Sequence, residues 1–251
     1  MRALPTVFSA LLLGLAVDPS TWAAERDSGF QFQIAPYFWA ASIDGTVATS
    51  SGNEIADFDA SFSDLVDNTD AAVMIFGDAR WDRVGVLADF SWVGFSQDGD
   101  TPGPAFSGAR LESDVYTVSA APYFRVVQGT RFDLDVLAGL RYWDTSVDLK
   151  LKPGVLPARD ASKDTNWTDY IAGARGQFRF SPKWFLTGYA DYGIGGDSDK
   201  TWQAYGGLGY QFNDTWSMQL GYRELKVKYD SGGFVYDTTE RGLLAGVGIR
   251  F

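Results

Sequence analysis

Asp133 and Asp135 stand two residues apart, a spacing that puts both carboxylates on one side of an extended strand. Paired carboxylates are the raw material of general acid–base chemistry. A denser set lies between Asp44 and Asp70, where Asp44, Glu54, Asp57, Asp59, Asp64, Asp67 and Asp70 occur with no Lys or Arg among them. Oxygen ligands at this density suit Ca²⁺ or Mg²⁺, but their spacing matches no defined binding loop and no glycine sits where an EF-hand needs one. A solvated acidic loop is expected there, with no metal site. The chain has no histidine and no cysteine. That excludes a disulfide framework, an imidazole or thiolate metal site, and any Cys or His nucleophile or base. Lys plus Arg total 21 against 32 Asp plus Glu, a net charge of −11, which argues against binding nucleic-acid phosphates. No cofactor is implied.

The elements that must carry these residues follow from pattern. The 251 residues allow one large domain or two small ones. Residues 1–23 read as a secretory signal peptide: Arg2 supplies a positive start, Val7 to Val17 form an apolar stretch too short to span a bilayer, and Thr21-Trp22-Ala23 offers small residues before the cut. Residues 24–251 then form the mature chain. Helical periodicity is weak in it, and period-2 alternation marks ten strands: 29–44, 70–82, 84–96, 112–127, 131–149, 166–180, 183–195, 200–212, 215–229 and 238–251. Four connections are tight: Asp82-Arg83, Gln128-Gly129-Thr130, Ser181-Pro182 and Asn213-Asp214. The connections between them are mostly longer, above all 44–70, where Ser61 to Asp67 reads as a turn or two of helix. Short turns on one side and long loops on the other are the pattern of a transmembrane antiparallel up-and-down β-barrel. Ten strands are expected, with eight or twelve as alternatives, and an even number leaves both termini on the periplasmic side.

The two faces of each strand agree with a barrel in lipid. Val84, Val86, Ala88, Phe90 and Trp92 share a face opposite Leu87, Asp89, Ser91 and Val93. Aromatics gather beside the short turns and the C-terminus: Trp81, Phe124, Phe132, Phe180, Trp184, Phe212, Trp216 and Phe251. Such rings favour the headgroup level of a bilayer, and closure removes the sheet edges that lipid does not tolerate. Strand parity points Asp78, Arg80, Asp89, Arg125, Asp133, Asp135, Arg141, Arg175, Arg179, Asp191, Arg223 and Arg250 inward, with Tyr123, Trp143, Tyr189 and Tyr205. Charges confined in this number must pair, and the arginine fork suits carboxylates. A structural lumen network is therefore expected in place of an Asp–Asp catalytic site.

The final strand, Arg241 to Phe251, ends on phenylalanine after alternating apolar residues. It resembles the C-terminal signal of Gram-negative outer-membrane proteins, which implies recognition of Phe251 by the barrel-assembly machinery. The mature chain looks like the superfamily of small outer-membrane β-barrels, and Phe58 to Phe90 is similar to a group of uncharacterised proteobacterial outer-membrane proteins with an acidic segment before strand two. The resemblance implies location and fold and carries no activity. The enzymes of this size among such barrels (lipid A deacylases, palmitoyltransferases, omptin-type proteases) use a histidine, so no enzyme is expected here. The expected function is structural or surface interaction through the extracellular loops, with a lumen filled by side chains; the alternative is a narrow small-solute channel with a weak anion bias. Expected partners are outer-membrane lipid and lipopolysaccharide, whose phosphates Lys150, Lys152, Arg159 and Lys163 could contact.

Overall fold

The computed structural model describes residues 29–49, 54–60, 69–101 and 103–251. Within them the chain forms antiparallel strands β1 (Phe30–Thr49), β2 (Glu54–Ala60), β3 (Thr69–Trp81), β4 (Val84–Gly99), β5 (Phe106–Gln128), β6 (Phe132–Pro153), β7 (Arg159–Arg179), β8 (Trp184–Gly196), β9 (Lys200–Gln211), β10 (Trp216–Ser231) and β11 (Phe234–Arg250). Each strand from β3 to β11 pairs with its sequence neighbour, and β1 pairs with both β3 and β11, which closes the ring. Ten strands make the barrel wall. β2 lies outside that count, because it pairs with the upper part of β1 alone, from Ile43↔Ala60 to Ala48↔Glu54.

All ten expected strands are present, and the tight turns fall where glycine, proline and Asx residues placed them. The differences lie at the ends joined by the longer loops. β1 runs on to Thr49, so Asp44, Glu54, Asp57 and Asp59 of the acidic segment sit in strands and not in a free loop. The β-branched residues Thr46, Val47 and Thr49 favour that extension. The expected helical turn at Ser61 to Asp67 lies outside the described residues. β5, β6 and β7 also extend further than the apolar alternation does. The extensions of β5 and β6 carry cross-strand ion pairs with each other and with β4, a source of pairing energy that hydropathy does not register. The β10–β11 loop shrinks to Gly232-Gly233, both at positive φ (60° and 81°), the geometry of a two-residue hairpin turn that glycine supplies without strain.

Alternation sorts the side chains. The outer surface carries two belts of exposed rings. Trp81, Phe124, Phe132, Trp184, Trp216 and Phe251 form the lower belt, and Tyr116, Tyr142, Tyr170, Tyr192 and Tyr222 the upper one. Between them lie exposed Val118, Val136, Leu140, Leu186, Leu208, Leu220 and Val247. Eight residues separate Phe124 from Tyr116 and ten separate Phe132 from Tyr142. At the usual strand tilt that is roughly 20–25 Å of height, the thickness of the apolar band of an outer-membrane barrel.

Candidate functional site

The inward face is stacked in layers along the barrel axis. Nearest the short turns is a charged layer. Arg125 Nε donates to Asp135 Oδ1 at 2.7 Å, and Arg175 Nη2 donates to the other oxygen, Oδ2, at 2.8 Å. Arg175 also bonds Asp78, which accepts from the Tyr123 hydroxyl at 2.9 Å. Asp133 takes Arg179 Nη2 at 2.7 Å and lies 3.5 Å from Arg125. The Arg175 guanidinium stacks 4.7 Å from the Tyr123 ring centre. Gly85 makes this possible: a Cβ there would lie 2.4 Å from the Tyr123 ring.

Above it, Leu87, Ala121, Tyr123 and Leu137 form a small apolar layer with Phe76 and Tyr189 against it. A second charged layer follows. Arg141 donates to Asp191 at 2.7 Å, to Thr201 Oγ1 at 3.1 Å and to Ser119 Oγ at 3.1 Å. Arg223 donates to Gln203 at 2.7 Å, to the Tyr37 hydroxyl at 2.8 Å and to Asp89 at 3.3 Å. Glu240 faces the same two arginines. The half towards the longer loops holds a buried aromatic cluster: Trp39, Trp143, Trp167, Tyr229, Phe234 and Tyr236 with Leu225 and Val227. Trp167 stacks on Trp143 at 5.6 Å and on Tyr229 at 4.4 Å between ring centres. The Arg223 guanidinium lies 4.5 Å from the Trp39 ring centre, joining the cluster to the charges below it.

Ten of the twelve charges singled out by parity are thus gathered into two networks: Asp78, Arg125, Asp133, Asp135, Arg175 and Arg179 in the lower, Asp89, Arg141, Asp191 and Arg223 in the upper. The other two stand apart. Arg80 reaches Gln31 and the Asp82 backbone carbonyl, and the Arg250 side chain has no hydrogen-bond or ion-pair partner among the described residues. Parity alone could have found Asp169, which accepts from the Ser198 backbone N–H and hydroxyl at 2.9 Å each, and Glu240. The same parity, carried from Gln31 and Gln33 along β1, places Tyr37 inward as well. Among the described residues, no group of three or more carboxylates is placed to hold a metal ion.

The expected basic loop is largely neutralised. Lys150 bonds Glu112 at 2.5 Å, Lys152 bonds Asp98 at 2.7 Å, and Arg110 bridges Glu112 at 2.9 Å and Asp98 at 3.1 Å. These groups stand above the upper belt of rings. The Lys152 hydrogen bond holds the Asp98 carboxyl below its ordinary range, and the Lys150 and Arg110 hydrogen bonds do the same for Glu112. Arg159 and Lys163 have no ion pair among the described residues and are exposed.

No family model matches the sequence, and no curated protein matches it. Solved structures do match in shape. The outer-membrane protease OmpT of Escherichia coli superimposes with a TM-score of 0.54 at 10% identity, over 88% of this chain and 96% of that one. The translocator domain of the autotransporter NalP from Neisseria meningitidis gives 0.49 at 16% identity, over 89% and 88%. Neisserial surface protein A gives 0.39 at 15%, over 89% and 97%. The chain has the fold of the outer-membrane β-barrel proteins. At these identities the likeness is one of architecture, so the role of this barrel has to be argued from its own lumen and loops.

Proposed function

We propose that this is an integral outer-membrane protein, exported by the signal peptide at residues 1–23, whose lumen is filled by side chains and whose role is structural or one of surface interaction through its extracellular loops. The observation that carries this reading is burial. Arg141 and Trp143 of β6, Trp167 of β7, Thr201 of β9, Arg223, Leu225 and Val227 of β10, and Phe234 and Thr238 of β11 are all at most 3% exposed. Side chains with so little water contact, contributed by five of the ten wall strands, support a lumen without a continuous aqueous path. A barrel of about ten strands is narrow enough for large side chains to fill it.

The reading includes no catalysis. With no histidine or cysteine in the chain, the remaining acid–base candidates are the inward carboxylates, and Asp133 and Asp135 are held by arginines. Outer-membrane lipid and lipopolysaccharide are the proposed surroundings. Contact with lipopolysaccharide phosphate falls to Arg159 and Lys163, since Lys150 and Lys152 are occupied by carboxylates. Recognition of Phe251 by the barrel-assembly machinery belongs to the same proposal. Planar-bilayer recording on the refolded protein tests the lumen. A silent bilayer is expected, and steady single-channel steps would replace this reading with a narrow solute channel.

A further inference from the structure

The lower charged layer is not balanced. Its carboxylates are Asp78, Asp133 and Asp135, and each is already engaged: Asp78 by Arg175 and Tyr123, Asp133 by Arg125 and Arg179, Asp135 by Arg125 and Arg175. Five arginines face this half of the lumen, so Arg80 and Arg250 are left without a carboxylate. They are neighbours in the wall. Arg80 of β3 pairs with Gln31 of β1, and Arg250 of β11 pairs with Gln33 of the same strand, at the periplasmic end of the ladder. Arg179 and Arg80 are the cations whose fields reach Arg250, and the carboxylates whose fields reach it, Asp214 and Asp78, make no ion pair with it.

The three guanidiniums differ in how they are held. Arg80 is fixed by Gln31 and by the Asp82 carbonyl at 2.6 Å. Arg179 is fixed by Asp133 at 2.7 Å and by Gln177 at 2.8 Å. The Arg250 side chain has no hydrogen-bond or ion-pair partner among the described residues, and the next inward residues along β11 are Gly248 and Gly246, which add no side-chain bulk beside it. Two oriented forks and a free one at one mouth are a receptor for an anion with more than one acceptor oxygen, because each fork offers parallel N–H donors.

We propose that Arg80, Arg179 and Arg250 form a binding site at the periplasmic mouth of the barrel for an oxyanion, the phosphate or carboxylate group of a periplasmic solute. The site does not depend on whether the lumen above it is closed. The anion is held where it meets the excess positive charge.

The test is titration of the refolded protein, in an uncharged detergent, with inorganic phosphate and separately with acetate, followed by calorimetry. Saturable binding is expected that weakens with added salt, and the two titrations identify which oxyanion is preferred. In the double variant R80Q/R250Q affinity should fall at least about tenfold, with heat-modifiable gel mobility confirming that the barrel is intact. The control K150Q/K152Q, at the opposite end, should bind like the wild type. No saturable binding of either anion to the wild type, equal binding by R80Q/R250Q, or an equal loss in the control would each overturn the proposal.

Discussion

Arg141 donates to Asp191 across the lumen at 2.7 Å, and neither side chain has any solvent exposure. The pair joins β6 to β8, two strands that have β7 between them. It is therefore a bond across the inside of the barrel, distinct from the wall's own ladder.

Removing one member leaves the other charged in a dry interior, which typically costs about 3–5 kcal/mol. R141Q should lower the urea midpoint of the refolded protein accordingly, since Asp191 would keep only the Tyr189 hydroxyl at 2.7 Å. The double variant R141L/D191L removes both charges and should recover most of that loss. If R141Q and R141L/D191L are equally destabilised, the pair matters through packing volume, and the electrostatic account of this layer fails.

Gly85 makes a second, sharper demand. An added Cβ would meet the Tyr123 ring at 2.4 Å and the Ala79 carbonyl oxygen at 2.7 Å. The ring cannot yield without giving up its hydrogen bond to Asp78 and its stacking on Arg175. G85A should therefore destabilise the barrel by about 1–3 kcal/mol, the usual range for overpacking. Combining it with Y123A removes the ring clash and leaves the close approach to the Ala79 carbonyl, so G85A should cost less in the Y123A background. Additive losses in the double-mutant cycle would count against this contact.

What the sequence made legible follows the physics of each signal. Period-2 alternation marked the strands wherever one face is apolar and the other is not, so β3 to β11 were readable from residues such as Val84, Val86, Ala88 and Phe90. It failed above the upper belt of rings, where both faces are wet. There Arg110 and Lys150 sit opposite one another in the ladder and are held by Glu112 and Asp98, with no apolar stripe to reveal a strand. Strand parity gave the direction of the inward charges, because a side chain's face is fixed by position. Their partners were out of reach, because Arg141 meeting Asp191 and Arg223 meeting Asp89 depend on the stagger of distant strands. The isolation of Arg80 and Arg250 is a property of that pairing and could not be read from residue types.

The ion pairs above the upper belt of rings give a pH dependence. Asp98 and Glu112 are held below their ordinary range by hydrogen bonds, from Lys152 to Asp98 and from Lys150 and Arg110 to Glu112. A carboxylate depressed in the folded state contributes stability that is complete above its unfolded pKa and is lost as pH falls through its folded one. The β4–β6 extension should therefore loosen below the ordinary carboxylate range and stay unchanged from neutral pH upward. The groups are exposed, so the effect is small and screened by salt. Amide hydrogen exchange reads it locally: residues 106–114 and 146–153 should lose protection in acid while the segments between the ring belts do not. Uniform loss of protection along β5 and β6 would contradict a local cause.

The aromatic cluster provides the most direct trial of the filled lumen. Trp143 and Trp167 are cross-strand neighbours on β6 and β7, 0% and 2% exposed, stacked at 5.6 Å with their planes 12° apart. Truncating a buried Trp to Ala typically costs about 3–5 kcal/mol and leaves a cavity where the ring was. In a soluble core such a cavity stays closed on all sides. Here it would lie between the extracellular mouth and the Arg141–Arg223 layer, so water entering it meets charged groups able to hydrate. W143A/W167A should therefore lower the unfolding midpoint and also produce steady conductance steps that the wild type lacks. W143F/W167F, which keeps rings in place, should stay silent. If W143A/W167A folds and remains electrically silent, the charged layer below is a sufficient seal by itself, and the cluster serves stability alone.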